Sequence, residues 1–289
     1  METTKLTYQP TDKGLQDIAI LSNALKTCFY RTGRPAKLSL EQTYEFIRIK
    51  KDYDVGDWKK TFKVCQEIHP DWKLPVYHNC LSSLHRLFSY MFWFIQTSLY
   101  FQRKKFFESK SNLKVVFMDS TCVPVCHILR SSRHKTMQNY AQYSKSTMGW
   151  YYGLKLHCVM DYENNPLYFT LTRSKVDDRV VSKQIMQDEN LFYGTGTLFV
   201  EDKGYQSKEH EKIARDTGNF LLTGKRKSKN NTTLASWFDI HLLHNRARIE
   251  TVFSKLKINY NLTSTKARSE FGYFFNIVFS LFGLITENY

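Results

Sequence analysis

Acidic residues are scarce in this sequence, and unevenly so. The chain carries 27 Asp and Glu against 42 Lys and Arg, a formal net charge of +15 over 289 residues. Between Glu108 and Asp161 the sole acid is Asp119, and between Asp239 and Glu270 it is Glu250. Such a deficit points to a polyanionic partner, nucleic acid first and an anionic membrane surface second. A basic but otherwise ordinary protein is the bland alternative. Other things are missing as well. No C-x2-C pair occurs among the six cysteines, and the second half of a metal pattern is absent around Cys122, Cys126, His127, His134, His157 and Cys158, so buried free thiols are expected and structural zinc is not. Met1 to Leu6 has no apolar signal core, so a reducing, cytoplasmic setting is the expectation. The longest apolar runs, Leu87 to Phe101 and Phe271 to Ile285, fall short of the roughly 20 residues a membrane span needs, and both read as core helices. Internal repeats and low-complexity segments are lacking too.

What remains is a folding sequence. A hydrophobic fraction of 42% with 15% aromatics supports a core, and the length suits one large domain or two ordinary ones. Residues 1–108 read as helical. Lys13 to Tyr30 has helical apolar spacing, and Thr32 to Pro35 breaks it. Ser39 caps a helix running to Ile49, with Gln42 at the capping-box position. A third helix spans Asp57 to Ile68, and a long one runs from Tyr77 to Lys105. A helix-turn-helix and a plain helical scaffold are both compatible with this pattern.

Val115-Val116-Phe117-Met118 then runs into Asp119, which reads as a buried strand ending in a carboxylate. A basic loop is expected over Val123 to Thr147, containing Arg130, Arg133, His134 and Lys135. Strands follow at Trp150 to Met160 and Leu167 to Leu171, and a helix opens at Val176 to Arg179. Thr197 to Val200 repeats the first pattern, an apolar strand leading to Glu201 and Asp202, and Glu201 should face away from its neighbour. A helix from Ser207 to Thr217, a strand from Asn219 to Leu222, a basic loop at Gly224 to Asn231 and a helix from Leu242 to Ile258 complete a mixed α/β order. For the loop cations Lys225, Arg226 and Lys227, solvation and phosphate contact are both open.

On the last helix, at about 100° per residue, Glu250 lies roughly 40° from Arg246 and Lys257 roughly 20° from Glu250. Ile249, Val252, Phe253 and Leu256 make an adjoining apolar stripe. An i,i+4 pair on a solvated face would account for Arg246 and Glu250 alone. Three isolated acids, Asp119, Asp202 and Glu250, gathered in a basic cleft would instead repel one another unless they hold divalent cations. Hard oxygen ligands suit Mg²⁺, and two such ions about 3.5–4 Å apart serve phosphodiester displacement.

Here the residues resemble a known family. Arg246, Glu250 and Lys257 read R-x3-E-x6-K, Phe117 to Thr121 is similar to a first-aspartate strand, and Asp202-Lys203-Gly204-Tyr205 is similar to a D-K/R-G-Y motif. Together they resemble one branch of the bacterial insertion-sequence DDE transposases, well over residues 113–289 and more loosely before. Leu243 departs from that branch, which often has tyrosine there. The resemblance implies a ribonuclease H-like mixed sheet flanked by helices, with a helical DNA-binding region at 1–108 and a catalytic domain at 109–289. It implies Asp119, Asp202 and Glu250 as catalytic metal ligands for Mg²⁺, with Mn²⁺ able to substitute. DNA contacts are expected from Arg246, Lys257, Lys225, Arg226, Lys227, Arg133 and Lys203. The partners it implies are terminal inverted repeats, target DNA and a second copy of the chain, at a bacterial nucleoid and not at a membrane. Trp150 and Trp237 could stack a flipped base, with core packing the expectation for both. Two rivals stay open: a nuclease of the same fold, and a non-catalytic DNA-binding protein derived from a transposase.

Overall fold

The computed structural model describes residues 38–52, 57–110, 113–224, 236–263 and 267–287. The chain divides into two compact units, Met1–Tyr90 and Met91–Tyr289. The helix expected at Lys13 to Tyr30 and the cations Lys225, Arg226 and Lys227 lie outside the described residues.

In the first unit, helix α1 spans Leu40–Asp52, α2 Trp58–Ile68 and α3 Tyr77–His85. Local chemistry sets their starts. Ser39 Oγ accepts the Gln42 N–H at 3.1 Å while Gln42 Oε1 accepts the Ser39 N–H at 3.0 Å, a reciprocal capping box. Asp57 accepts the Lys60 N–H at 2.8 Å and so satisfies one of the free donors at the start of α2. The buried side chains of Phe46, Ile49, Cys65, Cys80 and Leu84 form the core of this unit.

Helix α4 covers Phe88–Glu108. The single helix expected from Tyr77 is therefore two, parted at Arg86 and Leu87. Ser82 and Ser83 donate back to the carbonyls of His78 and Asn79, at 2.9 and 3.0 Å. Arg86 and Leu87 then donate only three residues back, to Ser83 and Leu84. Hydroxyls competing for i−4 carbonyls bend a helix, and here the turn tightens and stops.

In the second unit the strands are β1 (Lys114–Cys126), β2 (Gln142–Ser146), β3 (Gly149–Asp161), β4 (Pro166–Arg173), β5 (Thr197–Glu201) and β6 (Phe220–Thr223). They form one sheet in the order β2-β3-β1-β5-β6, with β4 also paired to β3. Strand β3 is antiparallel to β1, β2 and β4, whereas β5 is parallel to β1 and to β6. β2 pairs with β3 over Gly149 to Gly153 and β4 over Leu154 to Met160, so the two lie end to end on one edge. An antiparallel trio leading into a parallel pair, flanked by helices, is a ribonuclease H-like arrangement.

Two expectations for this region need correction. β1 does not stop at Asp119 but runs on to Cys126, because its ladder to β3 continues from Val116 to Cys126 while the ladder to β5 ends at Phe117. Asp119 is thus mid-strand, two residues beyond the last residue that β5 covers. The basic loop expected over Val123 to Thr147 is also partly built. It holds the end of β1, a 3-10 helix at Ile128–Arg133 and all of β2. Gly153 allows this. A Cβ there would stand 2.2 Å from the Val123 carbonyl oxygen and 2.8 Å from Pro124 Cα, so only glycine admits the bulged end of β1.

Side chains alternate across the sheet. Val116 and Met118 point to the face covered by helices α5 (Asp178–Gln187) and α6 (Lys208–Asp216), in a buried cluster with Val159, Val181, Ile185, Met186, Phe199 and Ala214. The alternate residues, Phe117 and Asp119 among them, point to the other face. Helices α7 (Trp237–Asn245), α8 (Arg248–Ile258) and α9 (Glu270–Glu287) follow β6 in the chain. The apolar run from Phe271 becomes α9, buried along most of its length. Among the described residues, no helix is long and apolar enough to cross a membrane.

Candidate active site

β1 presents Asp119, the residue after β5 is Asp202, and the first turn of α8 carries Glu250. All three meet one guanidinium. Arg246 donates from Nη1 to Asp119 Oδ2 at 2.9 Å, and its Nη2 stands 3.8 Å from Asp202 Oδ1 and 3.9 Å from Glu250 Oε1. Asp119 and Asp202 come together because the parallel β1–β5 register places Phe117 beside Val200. Two residues further on, each strand points the same way again.

The helix that carries Arg246 differs from the one expected. Leu242 to Ile258 is not continuous: α7 ends at Asn245, and Arg246 and Ala247 form a step to α8. Both keep helical dihedrals, but Ala247, Ile249 and Glu250 donate three residues back, to His244, Arg246 and Ala247. The tightened step preserves the Arg246–Glu250 approach. Ile249, Val252, Phe253 and Leu256 are buried, as their spacing predicts, and at about 1.5–3 kcal/mol for each such side chain they anchor α8.

Exposure rises across the acids, from 22% of the Asp119 side chain to 48% of Asp202 and 66% of Glu250. The site therefore opens to solvent away from β1. Burial pushes the Asp119 carboxyl up to about 6. The Ser120 N–H, donating at 2.8 Å, and Arg246 oppose that shift, while Asp178 and Asp202 add to it. A carboxylate held partly against its own ionisation gains from any further positive charge nearby.

Glu201 points the other way, as expected. It is fully buried, its carboxyl accepts the Ser182 hydroxyl of α5, and Ser182 Oγ lies 3.0 Å from His210 Nε2 of α6. Burial, the foremost influence, pushes its pKa to about 8. A second polar group on that face was not foreseen as a unit. Lys155 of β3 donates to Asp178 Oδ1 at 2.8 Å and to the Val176 carbonyl at 2.9 Å, and His157, also of β3, is fully buried 2.9 Å from Thr172 Oγ1. A lysine inside an apolar strand needs an acid, and that was the signal in the sequence. Asp177 caps α5 by accepting the Arg179 N–H at 2.9 Å, in keeping with a helix start.

The other predicted contacts are spread out. Lys203 is exposed in the 3-10 turn right after Asp202, Lys257 is half-buried near the end of α8, and Arg133 is exposed at the end of its 3-10 helix. Trp150 and Trp237 correct the expectation of core packing, being 63% and 83% exposed. Trp150 stands at the solvent end of the β2–β3 hairpin, and Trp237 opens α7 and stacks on His241. A cavity of about 440 Å³ lined by Lys105, Phe106, Lys114, Tyr162, Phe238 and His241 contains none of the three acids.

Among the described residues, no three His, Cys, Asp or Glu side chains stand close enough to share a metal ion. The donor set nevertheless suits a divalent cation. Three carboxylates from three separate elements surround one positive charge, that of the Arg246 guanidinium, and carboxylate oxygens are the ligand type that hard divalent cations take.

A family model described as a transposase DDE domain matches residues 109–270, more than half of the chain and the stretch that carries all three acids and Arg246. No curated protein matches the chain.

Proposed function

Because the chain belongs to the transposase DDE domain family, we propose that it cleaves DNA at the ends of a mobile element and joins the released 3′ end to target DNA. The observation that carries this reading is the convergence of Asp119, Asp202 and Glu250 on Arg246. Transposase DDE domains use divalent metal ions. In this chain the three carboxylates would hold two Mg²⁺, or Mn²⁺ in its place, which when bound would activate the attacking hydroxyl and stabilise the leaving oxygen.

The protein's own groups do the rest. The Ser120 N–H and the β1–β3 ladder hold Asp119 in place, and the buried stripe of α8 sets the height of Glu250 over it. Arg246 and Lys257 bind phosphates near the cleaved end, Arg246 by a planar fork suited to two phosphate oxygens. Lys203, Arg133, Lys225, Arg226 and Lys227 supply further phosphate contacts. The exposed Trp237 and Trp150 offer faces on which an unpaired base can stack. Residues 1–108 recognise element ends and residues 109–289 carry the chemistry, with two copies of the chain pairing two ends in a bacterial cell.

The test is a strand-transfer assay. Purified protein is incubated with labelled element-end DNA and a supercoiled target, in Mg²⁺ or EDTA, beside Asp119→Ala. Joining that needs the metal and vanishes in the variant is the expected result. Nicking without joining would replace the proposal with a nuclease of the same fold. Binding without cleavage under any metal would leave a DNA-binding protein derived from a transposase.

A further inference from the structure

We propose that Arg246 is the resident counterion of the carboxylate site, and that a DNA phosphate must draw it away before a divalent cation enters. This rests on the reading that Asp119, Asp202 and Glu250 hold the cation.

The geometry is that of a shared charge. One guanidinium touches Asp119 at 2.9 Å and stands within 3.9 Å of both other acids. A divalent ion placed among the same oxygens would meet that fixed positive charge at close range, in a site where Asp119 is largely shielded from water. The two cations therefore compete, and the carboxylates cannot serve both fully.

Arg246 is also built to leave. Only the Asp119 contact has hydrogen-bond length. The other two, at 3.8 and 3.9 Å, are electrostatic and leave N–H donors of the fork for another acceptor. Its side chain is 20% exposed, so the group is reachable from solvent. Its backbone is held by the bond from its N–H to the Leu242 carbonyl at 3.2 Å and by the anchored α8. Withdrawal is a side-chain rotation, with no helix to unfold. A phosphodiester offers the fork two oxygens and a full negative charge, in the same bidentate geometry that a carboxylate offers, and so competes for it. DNA binding and cation loading are then coupled: the metal site is completed where substrate is present.

The test measures cation binding and not turnover. Free Mn²⁺ is followed by electron paramagnetic resonance as it is titrated into the full chain, with and without a short duplex of arbitrary sequence, after subtracting ions held by the duplex alone. Arg246→Gln should bind Mn²⁺ about tenfold more tightly than the wild type without DNA, within the roughly 5–150-fold range of ordinary coupled sites. The duplex should tighten the wild type by a similar factor and leave Arg246→Gln unchanged. Arg246→Lys, which keeps the charge, should resemble the wild type without DNA, which separates lost charge from a disturbed fold. If Arg246→Gln binds Mn²⁺ no better than the wild type while both bind it, the counterion proposal is wrong and the metal reading stands. If no form binds Mn²⁺, with or without the duplex, both fall together.

Discussion

Glu201 and Asp202 are neighbours in the chain and serve opposite faces of the sheet. The carboxyl of Glu201 is buried against Ser182 in α5, while Asp202 stands 3.8 Å from Arg246 on the side of α8. One peptide bond separates a residue buried between sheet and helices from one proposed to take part in the chemistry. Alternation along β5 is the cause.

Asp202→Asn should therefore cost activity and little else. Its side chain is half-exposed, so its loss leaves no buried charge behind. We expect DNA cleavage to fall by more than about 100-fold, beyond the usual 10–100-fold for a group that only supports a metal ligand. The melting temperature should move by no more than a degree or so, given that exposed substitutions usually stay within about 0.5 kcal/mol. A melting temperature that collapses together with activity would contradict this division of roles.

Glu201 should give stability a pH slope. Its folded pKa of about 8 lies above the ordinary 4.5, so the folded state binds its proton more tightly than the unfolded chain does. Stability is then greatest at low pH and declines as pH rises from 4.5 toward 8. Asp119, pushed up to about 6, adds a slope of the same sign at lower pH, so the upper range isolates Glu201. Urea unfolding from about pH 6 to about pH 8.5 should show the wild type losing stability relative to Glu201→Gln, by an amount on the order of a few kcal/mol. Parallel curves for the two proteins would refute the assignment.

Leu256 is fully buried on α8, the helix that carries Glu250. Leu256→Ala should destabilise the chain by about 2–5 kcal/mol through lost burial and a residual cavity. Denaturant unfolding at fixed pH measures this. A cost under about 1 kcal/mol would mean that α8 is not anchored through this stripe.

Gly153 lies where β3 meets the bulged end of β1. Gly153→Ala drives a methyl into the Val123 carbonyl, at 2.2 Å, and the contact is with backbone that cannot turn aside. We expect destabilisation of at least about 1–3 kcal/mol, the usual range for overpacking. Amide hydrogen exchange should increase at the Gly153 end of the β1–β3 ladder before it does near Asp119. Unchanged protection there would show that the strands do not approach so closely.

Much of the fold was legible because its signals are local. Ser39 with Gln42 is a capping box that the sequence shows, and the helix starts expected at Asp57 and Val176 to Arg179 fall where Asp57 and Asp177 accept the N–H groups of Lys60 and Arg179. The strands around Phe117 and Phe199 were visible as short apolar runs, and that around Leu156 by its alternation. The gathering of Asp119, Asp202 and Glu250 was suggested by the isolation of Asp119 and Glu250 among cations and by the place of Asp202 after an apolar strand. The misreadings came where a neighbour outside the segment decides. Nothing near Asp119 says that β3 will carry β1 on to Cys126. The turn at Arg86 and Leu87 and the step at Arg246 and Ala247 interrupt patterns that keep helical spacing throughout. Trp150 and Trp237 are aromatic residues of the kind that cores prefer, and both stand in solvent.

The sequence by itself determined where helices begin, which strand faces are apolar, and which two acids, Asp119 and Glu250, stand alone in basic surroundings. These depend on contacts within a turn or on alternation along one strand, and a chain encodes such contacts directly. Tertiary structure alone decided that a single guanidinium, 127 residues from Asp119 in the chain, sits among all three acids. It also decided that Asp178 answers Lys155 on the far face. Those pairings require the β1–β5 register, the step between α7 and α8 and the burial of α8 to be satisfied together. No local stretch contains all of these.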